Sequence, residues 1–160
     1  MKKLTRLTAI AICFTCFSSL GSADSGVQDL SPELRSLLSK EMLSLQEGMQ
    51  SILPAYVSGD LDEVAKIARK IKNSYILKQQ ITDTQKRELK SKLPASFLQS
   101  DQKFHEYAGM LEHVSKEKHM ELVGFYYAKL SESCVSCHSQ HASHRFKAFN
   151  KEQPQDNGHH

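Results

Sequence analysis

The chain has 160 residues, 39% of them hydrophobic, with 21 basic and 18 acidic side chains and a formal net charge of +3. That length suits a single domain. Three of the basic residues and none of the acidic ones fall within residues 1–23; the rest of the chain is neutral, which excludes the basic face that a nucleic-acid partner requires.

Those first residues have their own logic. Lys2, Lys3 and Arg6 form a basic start, residues 7–20 form an apolar run, and Gly21-Ser22-Ala23 offers small side chains for cleavage. This is the pattern of a secretory signal peptide. The run is too short to span a bilayer, which needs about 20 apolar residues. Lipid attachment at Cys13 or Cys16 is disfavoured by Ile12 and Thr15 in front of them. The expected organisation is therefore a signal peptide at 1–23, one domain at 24–149 and a polar, disordered tail at 150–160. The expected location is the periplasm, of a Gram-negative bacterium. Of the four cysteines, only Cys134 and Cys137 survive removal of the signal.

After a short polar lead-in, Ser31-Pro32-Glu33-Leu34 reads as a helix start, with Ser31 as N-cap and Pro32 at the first helical position. Leu34, Leu38, Met42, Leu45, Met49, Ile52 and Tyr56 recur at steps of three and four, the stripe of one long helix. Pro54 should bend or end it, and Ser58-Gly59-Asp60 should close it. Asp60 can cap the second helix, whose stripe runs Leu61, Val64, Ala68, Ile71 and Tyr75, with its lysines and arginine on solvated faces. A break is expected at residues 80–83. Thr82 with Gln85 has the form of a capping box for a short helix over 85–91.

Leu93-Pro94 should end that piece, because the residue before proline is pushed out of helical geometry. A third long helix comes next, with Phe97, Phe104, Ala108, Leu111 and Val114 on its apolar face and Asp101 on the same stripe. The fourth long helix is expected over 118–146, with Val123, Tyr127, Leu130, Cys134 and Cys137 in line. With no strand candidates, the pattern predicts an all-α fold. Its expected form is an antiparallel four-helix bundle with one short extra helix between the second and third long ones.

Cys134-Val135-Ser136-Cys137-His138 carries the chemistry. Cys-x-x-Cys-His is the attachment signature of c-type haem. Two thiols three positions apart on a helix reach neighbouring vinyl groups on one porphyrin edge, and the following histidine reaches the iron. A redox disulfide is a competing use of Cys-x-x-Cys, but it favours a strand–helix context that is missing here. A zinc site using His141 or His144 is a third reading, although the second cysteine pair such sites often use is missing.

The mature chain resembles the cytochrome c′ superfamily over residues 34–149. The residues that carry the resemblance are Glu41-Met42, Gly48-Met49, Leu93-Pro94, Asp101, Phe104-His105, Ala108 and the Cys134–His138 motif near the C-terminus. The resemblance implies a c′-like bundle holding one covalent haem c on Cys134 and Cys137, with His138 as proximal iron ligand. It also implies either a methionine from the first helix on the distal side or a vacant distal site that meets small gases. Met42, placed relative to the Gly59-Asp60 turn as in methionine-ligated relatives, is the expected distal ligand. Met49 and His105 are further candidates. Relatives carry a basic residue one turn after the proximal histidine, where this chain has His141. Arg145 lies two turns on and is a candidate contact for a haem propionate. Many relatives pair as homodimers.

The function expected is electron transfer with a periplasmic redox partner protein, without enzymatic activity, since no acid–base or nucleophile constellation stands beside the motif. Binding of nitric oxide or carbon monoxide by a five-coordinate haem is the alternative. A zinc-binding structural module is the second alternative, with His141 and His144 as a possible second metal site.

Overall fold

A computed structural model of the chain describes residues 26–149. The expected signal peptide and the tail lie outside the described residues. Those described are helical, with no strand among them. Helix α1 is Pro32–Val57, α2 Leu61–Lys72, α3 Leu77–Gln80, α4 Asp83–Lys92, α5 Ala95–Lys116 and α6 Met120–His141. Single 3₁₀ turns precede α1, at Val27–Asp29, and succeed α6, at Ser143–Arg145 and Lys147–Phe149.

Helix ends explain most of these boundaries. Pro54 neither bends the element into two nor ends it at once: α1 runs on to Val57, and the Ser58 N–H returns to the Pro54 carbonyl at 3.1 Å. Gly59 then takes φ +78°, and Gly59 N–H and Asp60 N–H donate to the Tyr56 and Ala55 carbonyls. This is the Schellman arrangement that the glycine promises. The Asp60 carboxylate accepts from Glu63 N–H at 3.0 Å and starts α2. The Thr82–Gln85 capping box forms as expected, and α4 covers three residues more than the 85–91 expected.

Four expectations need correction. Helix α2 stops at Lys72 rather than carrying its stripe through Tyr75, because Ser74 turns left-handed at φ 61°. The extra turn α3 comes after it, so two short helices, not one, separate α2 from α5. Helix α6 ends at His141, five residues before the expected 146. Ser31 does flank α1, yet its hydroxyl caps nothing; it donates to the Glu88 carboxylate of α4 at 3.2 Å.

The long helices pack in sequence, α1 on α2, α2 on α5, α5 on α6, and α6 back on α1. Each contact is antiparallel. On α1 and α2, Glu41 meets Ser74 across the pair whose other ends join at Gly59. On α2 and α5, Ile71 pairs with His105 and Arg69 with Glu112. On α5 and α6, Phe97 packs on His141 and Tyr107 on Tyr126. The buried stripes expected from periodicity form the main core: Leu45, Ile52, Val64, Ile71, Phe104, Leu111, Val123 and Leu130 among others. A second cluster of Leu30, Leu34, Leu38 and Leu93 closes the end of the molecule where α1 begins.

Two buried acids hold the frame. Glu41, 1% exposed, accepts from the Ser74 hydroxyl at 2.8 Å and from the N–H groups of Tyr75, Ile76 and Leu77 at 2.9, 2.6 and 3.1 Å. It takes the Tyr75 N–H that a longer α2 would have used, which is why α2 stops. Glu112 on α5 is clamped by Lys116, Arg69 and Lys72. These three cations, Lys116 foremost, hold its carboxyl down at about 2 against the burial that would raise it.

Candidate functional site

Both motif cysteines lie on α6 as free thiols, half-buried, and Cys134 packs against the main core. Spacing of three on a helix puts the two sulfurs on adjoining parts of one face. Burial raises both thiols: that of Cys137 goes to about 11, helped by the nearby Asp101 and Cys134. Burial therefore favours the neutral thiol at both positions. Val135 between them is 54% exposed. The motif therefore has an inner side carrying sulfur and an outer side on the surface.

His138 is half-buried, and burial lowers its pKa, favouring the neutral imidazole that binds metal. Neither ring nitrogen has a hydrogen-bond partner among the described residues. The ring lies nearly parallel to that of Phe146, centroids 4.7 Å apart and planes 17° off. Phe146 reaches this position because α6 ends at His141 and the chain turns back through Ser143–Arg145. Periodicity extended through residue 146 would have carried Phe146 away along the helix axis, so this packing was not legible in the stripe.

The opposite side of the site comes from α1. Gly124 on α6 lies beneath the Tyr56 ring, whose hydroxyl would sit 2.8 Å from any Cβ added there and donates to the Met120 carbonyl. His138 is fourteen residues beyond Gly124, and Met42 is fourteen residues before Tyr56. At a rise of about 1.5 Å per residue, antiparallel helices bring both to one level, about 21 Å from that contact. Met42 is half-buried and packs against both hydrophobic clusters, the one side chain among the described residues that does so. Met49, two turns further along α1, packs only against the main core.

His105 is placed differently. Its Nδ1 bonds the Ile71 carbonyl at 2.8 Å, and its Nε2 stands 3.6 Å from the Asp101 carboxylate. Its Nδ1 bond ties α5 to the end of α2. Asp101 is half-exposed rather than buried on its stripe, and His105 is the partner that i, i+4 spacing suggests. His141 packs edge-on against Phe97, ring centroids 5.4 Å apart. His144 and Arg145 lie exposed on the turn after α6. Among the described residues no three His, Cys, Asp or Glu side chains converge to hold a metal ion.

The donor set fits a covalently attached haem. Two free thiols share a face of α6 and the half-buried His138 imidazole comes directly after them. No protein family, characterised protein or solved structure compared with this chain matches it. Glu41 is the residue that stripe reading missed: its carboxylate shapes the turn between α2 and α3.

Proposed function

We propose that the chain is an exported monohaem c-type cytochrome, folded as a cytochrome c′-like four-helix bundle and working in electron transfer. In this reading α1, α2, α5 and α6 are the four helices, and α3 and α4 are insertions between the second and third. The observation that carries the proposal is the pair of half-buried free thiols, Cys134 and Cys137, on one face of α6 directly before the half-buried His138.

The haem would supply one-electron chemistry at iron. Cys134 and Cys137 would hold it through thioethers, His138 would take the proximal position and Met42 the distal one. What the chain contributes is placement. Phe146 fixes the plane of the His138 ring, and an oriented imidazole costs less to ligate. The apolar clusters on either side of Met42 keep water away, which limits reorganisation when charge changes. On the outer side, exposed Val135 and Phe146 leave a surface through which a periplasmic redox protein can approach. A transient electron-transfer contact is small, below about 1,200 Å².

The test is the optical spectrum of holoprotein matured with haem-ligating machinery. A methionine–iron charge-transfer band in the oxidised form, lost in Met42→Ala and kept in Met49→Ala, is the expected result. A high-spin spectrum that responds at once to carbon monoxide would replace electron transfer with gas binding.

A further inference from the structure

An apolar strip is left uncovered along the outer side of the α5–α6 pair. At its centre Phe125 is 50% exposed, with exposed Leu122 one turn before it on α6 and exposed Met110 on α5. Tyr107 and Tyr126 join the two helices across the strip, ring centroids 6.4 Å apart, and Phe125 packs edge-on against Tyr126 at 5.1 Å. Lys103 stands over the Tyr107 ring and Lys129 over the Phe125 ring, each ammonium 5.6 Å from the centroid. An exposed apolar cluster with a polar rim marks an interaction surface.

The charges along the strip restrict what covers it. Glu121, Phe125 and Lys129 are spaced by four, so they form one ridge of α6 that reads acid, aromatic, base. A copy of the chain turned end for end presents base, aromatic, acid to that ridge. A two-fold axis crossing α6 at Phe125 therefore sets ring against ring, and each Glu121 against the Lys129 of the other copy. Lys129 already pairs with Glu132 at 2.8 Å, but that pair lies at the surface and holds the ammonium weakly. Outside residues 1–23 the chain is neutral, so two copies meet without net repulsion. Acids and bases alternate here, which gives a strongly charged partner no field to match. We propose that the α5–α6 face is a two-fold dimer interface with a second copy of the chain, centred on Phe125. Closed interfaces of this kind use the same patch on both subunits, and central aromatic side chains anchor them. Val135 lies ten residues beyond Phe125, about 15 Å along α6, so the outer side of the motif stays clear of the contact. The inference is independent of what the motif binds.

The test is sedimentation velocity of the mature full chain over a range of concentrations. The variants are Phe125→Glu, Glu121→Lys, Lys129→Glu, the double exchange of the last two, and Leu43→Glu on an exposed side chain of α1. The parent should pass from monomer to dimer as concentration rises. Phe125→Glu should weaken the dimer at least about tenfold, and each single charge change should weaken it by setting like charges together. The double exchange should recover the parent's dimer, because across a two-fold axis the two reversals meet each other. Leu43→Glu should leave it unchanged. A chain that stays monomeric at every concentration would overturn the inference and leave the strip to a different protein. A dimer lost in Leu43→Glu and kept in Phe125→Glu would overturn it as well, by placing the contact on α1. A double exchange no better than its single changes would overturn the two-fold pairing.

Discussion

At the scale of single residues, Met42 and Met49 look equivalent in the sequence and differ in the structure. Both lie on the inner stripe of α1, but only Met42 touches both hydrophobic clusters. In a Met42→Ala holoprotein the thioether donor is gone, so the potential should fall and the oxidised spectrum should turn high-spin, while Met49→Ala should cost stability and leave the spectrum as it was. The expected stability loss for either truncation is about 2–4 kcal/mol in urea unfolding. Glu41 gives a second residue-level prediction. Replacing it by Gln sets an amide N–H₂ against N–H groups of the α2–α3 turn that need an acceptor, and should cost about 2 kcal/mol. A Glu41→Gln protein as stable as the parent would mean that those four bonds contribute nothing net.

Elements are tied to one another here by charge as well as by apolar packing. Glu112 joins α2 to α5 through Arg69 and Lys72 and holds its own helix through Lys116. Its pKa is lowered on folding, from 4.5 to about 2. The stability it adds is therefore complete above pH 4.5 and is lost as pH falls from there towards 2. Because the three cations are half-exposed, water screens the clamp, and the contribution is on the order of 2 kcal/mol. Urea midpoints at pH 7 and pH 3 should differ more in the parent than in Glu112→Gln; identical differences would show that the clamp does not titrate. The end of α5 offers the reverse case. Lys118 sits at φ 60° where Gly59 performs the same task at the end of α1. Lys118→Gly should raise the melting temperature by removing left-handed strain, a gain of up to about 1 kcal/mol, less its exposed pairing with Asp62.

For the whole molecule, the chain was most legible where the physics is local. Steps of three and four placed the long helices, Gly59 and Leu93-Pro94 placed two ends, and Thr82 with Gln85 placed α4. Local pattern misleads where a distant group decides. The stripe of α2 runs on to Tyr75, but the Tyr75 N–H goes to Glu41, 34 positions away in the chain. Nothing between Gly124 and residue 149 breaks a helix by composition, so the end of α6 at His141 had no marker in the sequence. The spacing of the motif placed both cysteines on one helix, and the structure has them together on α6. The surroundings of the motif, the Phe146 ring on His138 and the buried face of His141, depend on that unmarked helix end. The central claim, that Cys134, Cys137 and His138 carry one covalent haem inside this helical frame, has a direct test in intact mass and absorbance of the mature protein made with haem-ligating machinery. The account predicts a coloured protein whose mass exceeds that of the chain by one haem, retained on denaturation and lost when both cysteines are replaced by alanine. A colourless product at the mass of the bare chain would contradict it.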